Sequence, residues 1–249
     1  MRSREETLEQ FLERMGKEGK EADYCKRIAP YSLCAAQMKD WLEQYFRFLP
    51  DFGPEIDHDL FQSAPREFRI SSITKTFTSI YEKVYDGEYP EKVIFDKLPD
   101  LARGRVVCAY LSQIVKIREH LINKYLVKLK GCQRITNQER DYIEASKADG
   151  YRAFHELLLV PISMVGIGTM QVRYELQLRT DLQDTWANRA HPLCYKNRVF
   201  RALALTDDTP AKRCIRDMSH RLHEVDRTFD AVRLEILRAI GDHQSPTCT

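Results

Sequence analysis

The sequence predicts an α+β fold in which a central sheet is flanked by helices, with helical extensions at both ends. Residues 172–180 alternate apolar and polar side chains, the period of a β-strand. Residues 4–48 and 210–240 repeat apolar side chains every three to four positions, the period of an amphipathic helix. A chain of 249 residues, 43% apolar and 31% charged, suits one domain. We therefore expect a single domain over residues 1–249, with helical extensions at 1–50 and 208–241.

Between the extensions the patterns predict alternating helices and strands. We expect helices over residues 71–85 and 112–130, and strands over residues 105–110, 155–162 and 172–180. The two glycines of Val-Gly-Ile-Gly suit a hairpin turn between the last two strands. Thr180 or Asp181 is a suitable N-cap for a helix that runs toward Lys196.

The C-terminal extension carries a long apolar stripe. Its members are Ile215, Met218, Leu222, Val225, Phe229, Val232 and Ile236. Such a stripe most often packs on its own domain, and a subunit contact is the alternative.

Composition excludes several classes of protein. No run of 18 apolar residues and no apolar secretory leader is present, so we expect no membrane span and a cytoplasmic location. Seven cysteines without a CxxC pair argue against a disulfide framework and a structural zinc site. The net charge of +2 gives no argument for a nucleic-acid partner.

The strand at 172–180 also carries candidate chemistry. Its period of two sends Glu175, Gln177 and Arg179 to one face, together with Arg173. A carboxylate between two guanidinium groups suits an anionic substrate and a metal. The alternative is the solvated outer face of an antiparallel sheet.

A second candidate segment, DYIEASKADGYRAFH, lies just before the predicted hairpin. It combines Lys147, Asp149, Tyr151, Arg152 and His155 around a glycine that permits a tight turn. An aromatic ring and nearby cations are the groups that a nucleotide requires for its base and its phosphates.

Four motifs together resemble the RelA/SpoT synthetase family. DYIEASKADGYRAFH resembles that family's DYIxxPKxNGYRSLH, and YELQLRTDLQDTWANRAHPLCYK resembles EIQIRTxxQDAWAExEHxxxYK. DLARGRVV resembles the DIAGIRV strand, and KTFTSIYEK resembles the KSxxSIxxK phosphate-binding helix. The motifs keep the family's order, and the resemblance covers about half of the chain.

The resemblance implies a nucleotidyltransferase-like mixed β-sheet and a pyrophosphokinase reaction, with a catalytic core at about 69–200. ATP would donate its β,γ-pyrophosphate to the 3′-hydroxyl of GDP or GTP, giving ppGpp or pppGpp, the alarmones of the stringent response. Asp100 and Glu175 match the family's Mg²⁺-binding carboxylates, and Glu175 would also activate the hydroxyl. Tyr151 matches the tyrosine that stacks on the acceptor base. The remaining matches are Lys75, Ser79, Lys83 and Arg105 for the donor ATP, and Lys147, Asp149, His155, Gln177 and Arg179 for the acceptor.

The sequence departs from the family pattern at several positions. Ile73 stands where an arginine is usual, which leaves the binding of the donor adenine unexplained. Asp149 replaces an asparagine and places an anion beside the acceptor pocket. Arg103 and Gly104 replace a Gly-Ile pair after the metal-binding aspartate.

The chain resembles the short, synthetase-only members, because it lacks the HD-type metal signature of the family's hydrolase half. Some of these relatives make alarmones, while toxic relatives act on adenine nucleotides or the 3′ end of tRNA. A different class of protein is an inactive module that only binds nucleotides. The expected partners are therefore ATP and a guanine nucleotide, with tRNA or an adenine nucleotide as alternative acceptors, a second copy of the chain, and an antitoxin. If RNA is the acceptor, its backbone could be bound by Lys26, Arg27, Arg198, Arg201, Lys212 and Arg213; the alternative is that these residues form ordinary solvated helix faces.

Overall fold

The computed structural model describes residues 7–16, 21–48, 68–85, 95–191, 193 and 209–244. Its strands are β1 Arg69–Thr74, β2 Ala102–Cys108, β3 Gln133–Arg134, β4 Arg140–Asp141, β5 Phe154–Met164 and β6 Gly168–Thr180. They form one mixed sheet in the order β1-β2-β6-β5-β3, with β4 also paired to β5. The β2–β6 pair is parallel and the other pairs are antiparallel. The predicted α+β class with a mixed sheet is confirmed.

Helices flank this sheet. They are α1 Leu8–Gly16, α2 Glu21–Phe48, α3 Phe77–Tyr85, α4 Leu111–Ile117, α5 Asp181–His191 and α6 Pro210–Gln244. A π-helix continues α4 over Arg118–Leu129, and a short 3-10 helix spans Phe95–Lys97. No helix in the described ranges combines the length and apolar character that crossing a bilayer requires.

The register of the sheet places the polar residues on one face. Ile73, Arg103 and Glu175 are successive cross-strand partners in β1, β2 and β6. Arg105, Gln177 and His155 form the next row, across β2, β6 and β5. Because directly opposite residues share a face, these six side chains lie on the same side of the sheet, which we call the site face.

The opposite face of the sheet carries the main core. Tyr174, Leu176 and Leu178 of β6 are fully buried there in one apolar cluster with residues of α2. Tyr174 Oη lies 2.8 Å from Ser72 Oγ, which donates 2.7 Å to the carbonyl oxygen of Ala35 in α2. The alternation expected from the sequence of β6 therefore sends its apolar residues to the core.

The prediction of one helix over residues 71–85 was wrong for its first part. Residues 71–74 belong to β1, whose side chains alternate in exposure, and Lys75 precedes α3. The β-branched residues of RISSIT favour a strand. Of the candidate residues Lys75, Ser79 and Lys83, only Ser79 and Lys83 therefore lie on α3. The short strands β3 and β4 were also not expected from their polar sequence.

Helix α6 contacts the rest of the chain through polar side chains and through an apolar cluster in which Ile215 and Leu222 pack against Trp186. Its Ser219 hydroxyl donates to the carbonyl oxygen of Gly150, and its Asp226 carboxylate accepts a hydrogen bond of 2.6 Å from the Thr180 hydroxyl. Ser219, His223 and Asp226 are all buried. Only Ile215 and Leu222 of the apolar stripe pack on the domain, while Met218, Val225, Phe229, Val232 and Ile236 are exposed.

Burial of Asp226 predicts a pH-dependent stability. Burial raises the pKa of Asp226 from 3.8 to about 6. The negative charges of Asp181 and Asp230 also raise it, while the hydrogen bond from Thr180 lowers it. A raised carboxyl pKa contributes stability below pH 3.8 that is lost as pH rises through about 6. We expect Asp226→Asn to raise the free energy of unfolding at pH 7.5 by about 1–3 kcal/mol, because an amide keeps an acceptor for Thr180 without the charge.

Urea denaturation at pH 4 and pH 7.5 measures this effect. The gain should be small at the lower pH, where Asp226 is largely protonated. The exposed Asp217 of the same helix provides the control, since Asp217→Asn should change little at either pH. A loss of stability in Asp226→Asn at pH 7.5 would contradict the prediction.

Candidate active site

Side chains around Glu175 form a closed ring of contacts on the site face. The Gln177 amide donates to Glu175 Oε1, and Arg179 donates both to Gln177 Oε1 and, over 3.2 Å, to Tyr151 Oη. Tyr151 Oη lies 2.8 Å from His155 Nε2, and His155 Nδ1 lies 3.6 Å from Glu175 Oε2. The period of two along β6 and its pairing with β5 bring these residues together.

The surroundings of Glu175 keep it ionised. Burial raises its pKa, but the hydrogen bond and charge of His155, together with the Gln177 amide, outweigh burial and hold the pKa below the ordinary value. Burial raises the pKa of Tyr151 to about 12, although the charges of Arg179, Arg105 and Arg103 oppose it, so the phenol is neutral at physiological pH. The site therefore presents a carboxylate that can accept a proton or bind a cation.

A second charged group lies at the ends of β1 and β2. The Lys75 ammonium is buried and pairs with Asp100, and Lys83 Nζ of α3 lies 3.5 Å from the same carboxylate oxygen. Burial lowers the pKa of Lys75 to about 8, and the positive charges of Lys83 and Arg103 lower it as well. The negative charge of Asp100 raises the pKa but does not outweigh these effects. This pair of ammonium groups beside one carboxylate provides a binding position for anions such as phosphates.

Ser79 is the candidate residue with the least direct connection to the other site residues that the structure describes. It lies in the first turn of α3, where its backbone N–H donates 3.2 Å to the Thr76 hydroxyl. Its side chain is half-buried, four residues before Lys83.

The segment before β5 forms a tight turn that presents Tyr151. The carboxylate of Asp149 accepts a hydrogen bond of 2.9 Å from the Tyr151 N–H, and Gly150 has a φ of 95°. Lys147 Nζ lies 5.0 Å from the centroid of the Tyr151 ring, and Arg179 Cζ lies 5.4 Å from the same centroid. The structure thus gives Asp149 a role in the turn that an asparagine oxygen would perform equally well.

Asp184 is a site residue that the sequence reasoning missed. It lies in the first turn of α5 and is buried. Arg105 donates 2.8 Å to it, Arg69 lies within 3.4 Å and Arg179 within 3.5 Å. This carboxylate therefore holds three guanidinium groups at the site face, and Arg105 is oriented by it. The QDTW motif contains Asp184, and that was the available signal.

Arg103 is the second residue that was missed. It is half-buried on the site face, and its charge lowers the pKa values of Lys75, Tyr151 and Arg179. No carboxylate of the described residues forms an ion pair with it, in contrast to Arg69, Arg105 and Arg179. Its cross-strand partner is Ile73, which is 50% exposed. The guanidinium that the family pattern has at position 73 thus has a counterpart on the neighbouring strand.

Several expectations concern residues outside these contacts. Trp186 ties α5 to α6, because its indole donates a hydrogen bond of 3.0 Å to the carbonyl oxygen of Ile215. Thr180 was one of two candidates for the N-cap of α5, and it exchanges hydrogen bonds with Gln183 in a capping box. Tyr195 and Lys196 lie outside the described residues, as do Arg198 and Arg201.

The carboxylates of the site would supply only some of the ligands that a metal ion requires. No group of three or more His, Cys, Asp or Glu side chains in the described ranges is arranged to hold an ion. Asp100 and Glu175 are close enough for the charge of Asp100 to raise the pKa of Glu175. Mg²⁺ often takes only one or two protein carboxylates, with phosphates and water completing its octahedron. Asp100 and Glu175 are therefore the carboxylates that would be available to a Mg²⁺ ion arriving with a phosphorylated substrate.

Comparison with known proteins gives a consistent set of relatives. Residues 72–199 match the model of the region found in RelA / SpoT proteins. The chain is 30% identical over 169 residues to GTP pyrophosphokinase YjbM of Bacillus subtilis (strain 168), covering 68% of this chain and 72% of that protein. It is 26% identical over 167 residues to GTP pyrophosphokinase YwaC of the same organism, covering 66% and 73%.

Solved structures share the fold. Small alarmone synthetase 1 from Bacillus subtilis, bound to its product pppGpp, superposes with a TM-score of 0.67 at 24% identity, covering 87% of this chain and 99% of that one. A GTP pyrophosphokinase family protein from Streptococcus pneumoniae gives a TM-score of 0.65 at 22% identity, covering 88% and 97%.

Proposed function

The chain belongs to the RelA/SpoT family, and on that basis we propose that it is an ATP-dependent pyrophosphokinase acting on GDP or GTP. The observation that carries the proposal is the ionised Glu175 at the centre of a ring of hydrogen-bonding side chains, beside the anion-binding group of Asp100, Lys75 and Lys83. We propose residues 1–249 as one catalytic unit, with its core at about 69–200.

In the proposed reaction the acceptor's 3′-hydroxyl oxygen attacks the β-phosphorus of ATP. A P–O bond forms at this phosphorus, the bond to the α-phosphate bridging oxygen breaks, and AMP leaves. Glu175 accepts the hydroxyl proton, which requires the ionised carboxylate that its low pKa supplies. Tyr151 stacks on the acceptor base, with His155 and Arg179 holding its hydroxyl.

We propose that Lys75, Ser79 and Lys83 bind the donor's phosphates, with Arg105 positioned by Asp184 beside them. Lys147, Asp149, Gln177 and Arg179 form the acceptor side together with the Tyr151 turn. Asp100 and Glu175 would hold Mg²⁺, which offsets the charge of the transferring phosphates when it is bound.

The alternative acceptor, tRNA or an adenine nucleotide, has less support from the described residues. Arg27, one of the proposed RNA-binding residues, donates 2.6 Å to Asp96 and lies over the Phe95 ring. A nucleotide-binding module without activity would not require the proton-accepting carboxylate and the donor lysines in one site.

Parallel transfer assays test the proposal. The purified chain is incubated with Mg²⁺ and ATP labelled in its γ-phosphate, against GDP, GTP, ADP, ATP and deacylated tRNA. We expect label in the guanine nucleotides. Label in tRNA or an adenine nucleotide alone would favour the toxic alternative, and binding without any labelled product would favour the inactive module.

Arg103 should contribute to donor binding. It is a guanidinium without a described carboxylate partner, next to Lys75 and opposite the exposed Ile73, so a purine ring can stack there against a flat cation and an apolar side chain. We expect Arg103→Ala to raise the KM for ATP by about 5–30-fold, as loss of a cation–π contact of about 1–2 kcal/mol implies. The kcat and the acceptor KM should change little.

Initial rates at varied ATP and varied acceptor measure these constants. Arg103→Lys is the matched control, because it keeps the charge and removes the planar surface. If stacking matters, Arg103→Lys should lose most of the affinity that Arg103→Ala loses. An unchanged KM for ATP in Arg103→Ala would remove Arg103 from the donor site.

A further inference from the structure

A tyrosine of the N-terminal extension contacts the main chain of the donor lysine. The Tyr24 hydroxyl of α2 donates a hydrogen bond to the backbone carbonyl oxygen of Lys75. Burial raises the pKa of Tyr24, so its hydroxyl keeps the proton that it donates. The Lys75 N–H donates 2.9 Å to the carbonyl oxygen of Leu101, which follows Asp100. The backbone of Lys75 is therefore held from two sides, by α2 and by the segment of its ion-pair partner.

This hydrogen bond lies at a buried bend of the chain. Tyr24 is 7% exposed and Lys75 only 3%. Strand β1 ends at Thr74 and α3 begins at Phe77, so two residues make the whole change of direction. Because a buried carbonyl group requires a hydrogen-bond partner, Tyr24 stabilises the bend in the position from which the Lys75 ammonium reaches Asp100.

The ring of Tyr24 packs against the start of α3. Its centroid lies 5.7 Å from that of Phe77, the first residue of the helix, with the two planes at 65°. Phe11 of α1 lies 6.3 Å from both rings. Helix α3 carries Ser79 and Lys83, so this aromatic cluster links the N-terminal helices to the other two residues proposed for the donor's phosphates.

Helix α2 also holds the segment that precedes Asp100. Asp96, in the 3-10 helix, accepts hydrogen bonds of 2.6 Å from Arg27 and 2.8 Å from the Tyr31 hydroxyl. Both members of the Lys75–Asp100 pair are therefore connected to the same helix, although α2 lies outside the catalytic core at about 69–200.

We propose that Tyr24 is a positioning residue of the donor site, whose hydroxyl fixes the backbone of Lys75 and so directs the Lys75 ammonium at the phosphates of ATP. The inference rests on the proposed function and extends the donor site into the N-terminal helices. Tyr24 acts only through Lys75. Displacing a binding group by about 1 Å can cost about 10²-fold in rate, and the buried carbonyl has to move or remain unpaired when the hydroxyl is removed.

Tyr24→Phe tests the proposal, because it removes the hydroxyl and keeps the ring against Phe77. We expect the KM for ATP to rise by about tenfold, while the acceptor KM stays unchanged and kcat changes less. Calorimetric titration with Mg²⁺ and an ATP analogue that has a methylene group between its α- and β-phosphorus measures the donor Kd without turnover. This Kd should rise by the same factor.

Tyr45→Phe is the matched control. Tyr45 is also a buried tyrosine of α2, but its hydroxyl lies 2.9 Å from His120 Nδ1, and neither residue belongs to the donor site. The change should lower the Tm without altering the Kd of the analogue. A purely structural role of Tyr24 predicts the same result for Tyr24→Phe. An unchanged Kd in Tyr24→Phe, or an equal rise in Tyr45→Phe, would overturn the proposal.

The titration also separates this inference from the proposed function. If the native chain and Tyr24→Phe bind the analogue equally well, only the role of Tyr24 fails. If the native chain binds no analogue in the presence of Mg²⁺, it has no donor site, and the proposed function fails together with the role of Tyr24.

Discussion

Replacing Glu175 by glutamine should abolish most of the transfer activity and leave the fold intact. Positioned general bases contribute about 10²- to 10⁴-fold to rates, so we expect kcat to fall by that factor or more. Glutamine has nearly the same shape as glutamate, and its amide can still contact His155 and Gln177. The neutral side chain, however, can neither accept the hydroxyl proton nor offset a metal charge.

Initial-rate kinetics at saturating substrates, with urea denaturation for stability, measure this effect. Glu156→Gln is a matched control, because Glu156 is also a buried carboxylate of the sheet but pairs with Arg134 over 2.9 Å and lies outside the ring of contacts around Glu175. We expect it to affect stability more than kcat. Near-normal turnover in Glu175→Gln would remove the central role assigned to Glu175.

The pKa of Glu175 should also determine how far the pH can fall before the reaction stops. Burial raises the pKa of Glu175, but His155 and Gln177 bring it below the ordinary glutamate value. Activity that depends on the ionised form is therefore retained at mildly acidic pH and is lost only as pH falls through this lowered pKa. The low pKa makes Glu175 a weaker base, which suits a group that also holds a cation in the proposed reaction.

The sequence predicted the residues of β6 well because the signal is local. A period of two assigns Glu175, Gln177 and Arg179 to one face whatever the strand pairs with. The same local reasoning failed at residues 71–74. A helix was expected over residues 71–85, but residues 71–74 form the end of β1 and the helix begins only at Phe77.

Contacts between distant segments lay beyond what periodicity can show. The pairing of Ile73 with Arg103 depends on the register of β1 and β2, and no single segment contains that information. Asp184 likewise collects arginines from three strands. Helix α6 shows the limit most clearly, because an apolar stripe predicts that a surface will be covered without saying which molecule covers it.

Gly104 provides the second large expected effect, on stability. The ideal position of a Cβ atom at Gly104 lies 1.8 Å from Tyr174 Oη and 2.8 Å from its Cζ. Tyr174 is fully buried and its hydroxyl contacts Ser72, so a shift of the ring would disturb both the core and this contact. The change of a Gly-Ile pair to Arg103 and Gly104 therefore makes room for the phenol of Tyr174.

We expect Gly104→Ala to lower the free energy of unfolding by about 3–5 kcal/mol, since overpacking of the core and loss of the Tyr174 hydroxyl contact add together. Urea denaturation followed by circular dichroism measures the loss. Gly131→Ala is the control: Gly131 has a φ of 72° but no atom within 4 Å of the added methyl, so only backbone strain of about 1 kcal/mol applies.

Combining Gly104→Ala with Tyr174→Phe isolates the cause. Removing the hydroxyl eliminates the 1.8 Å contact and keeps the 2.8 Å contact with Cζ, so the double variant should recover part of the lost stability. Because Tyr174→Phe alone removes a hydrogen-bonding group and should destabilise, recovery in the combination requires that the two side chains compete for one space. Simple additivity of the two losses would show that Gly104 is needed for another reason, and that the phenol of Tyr174 does not determine the residue at position 104.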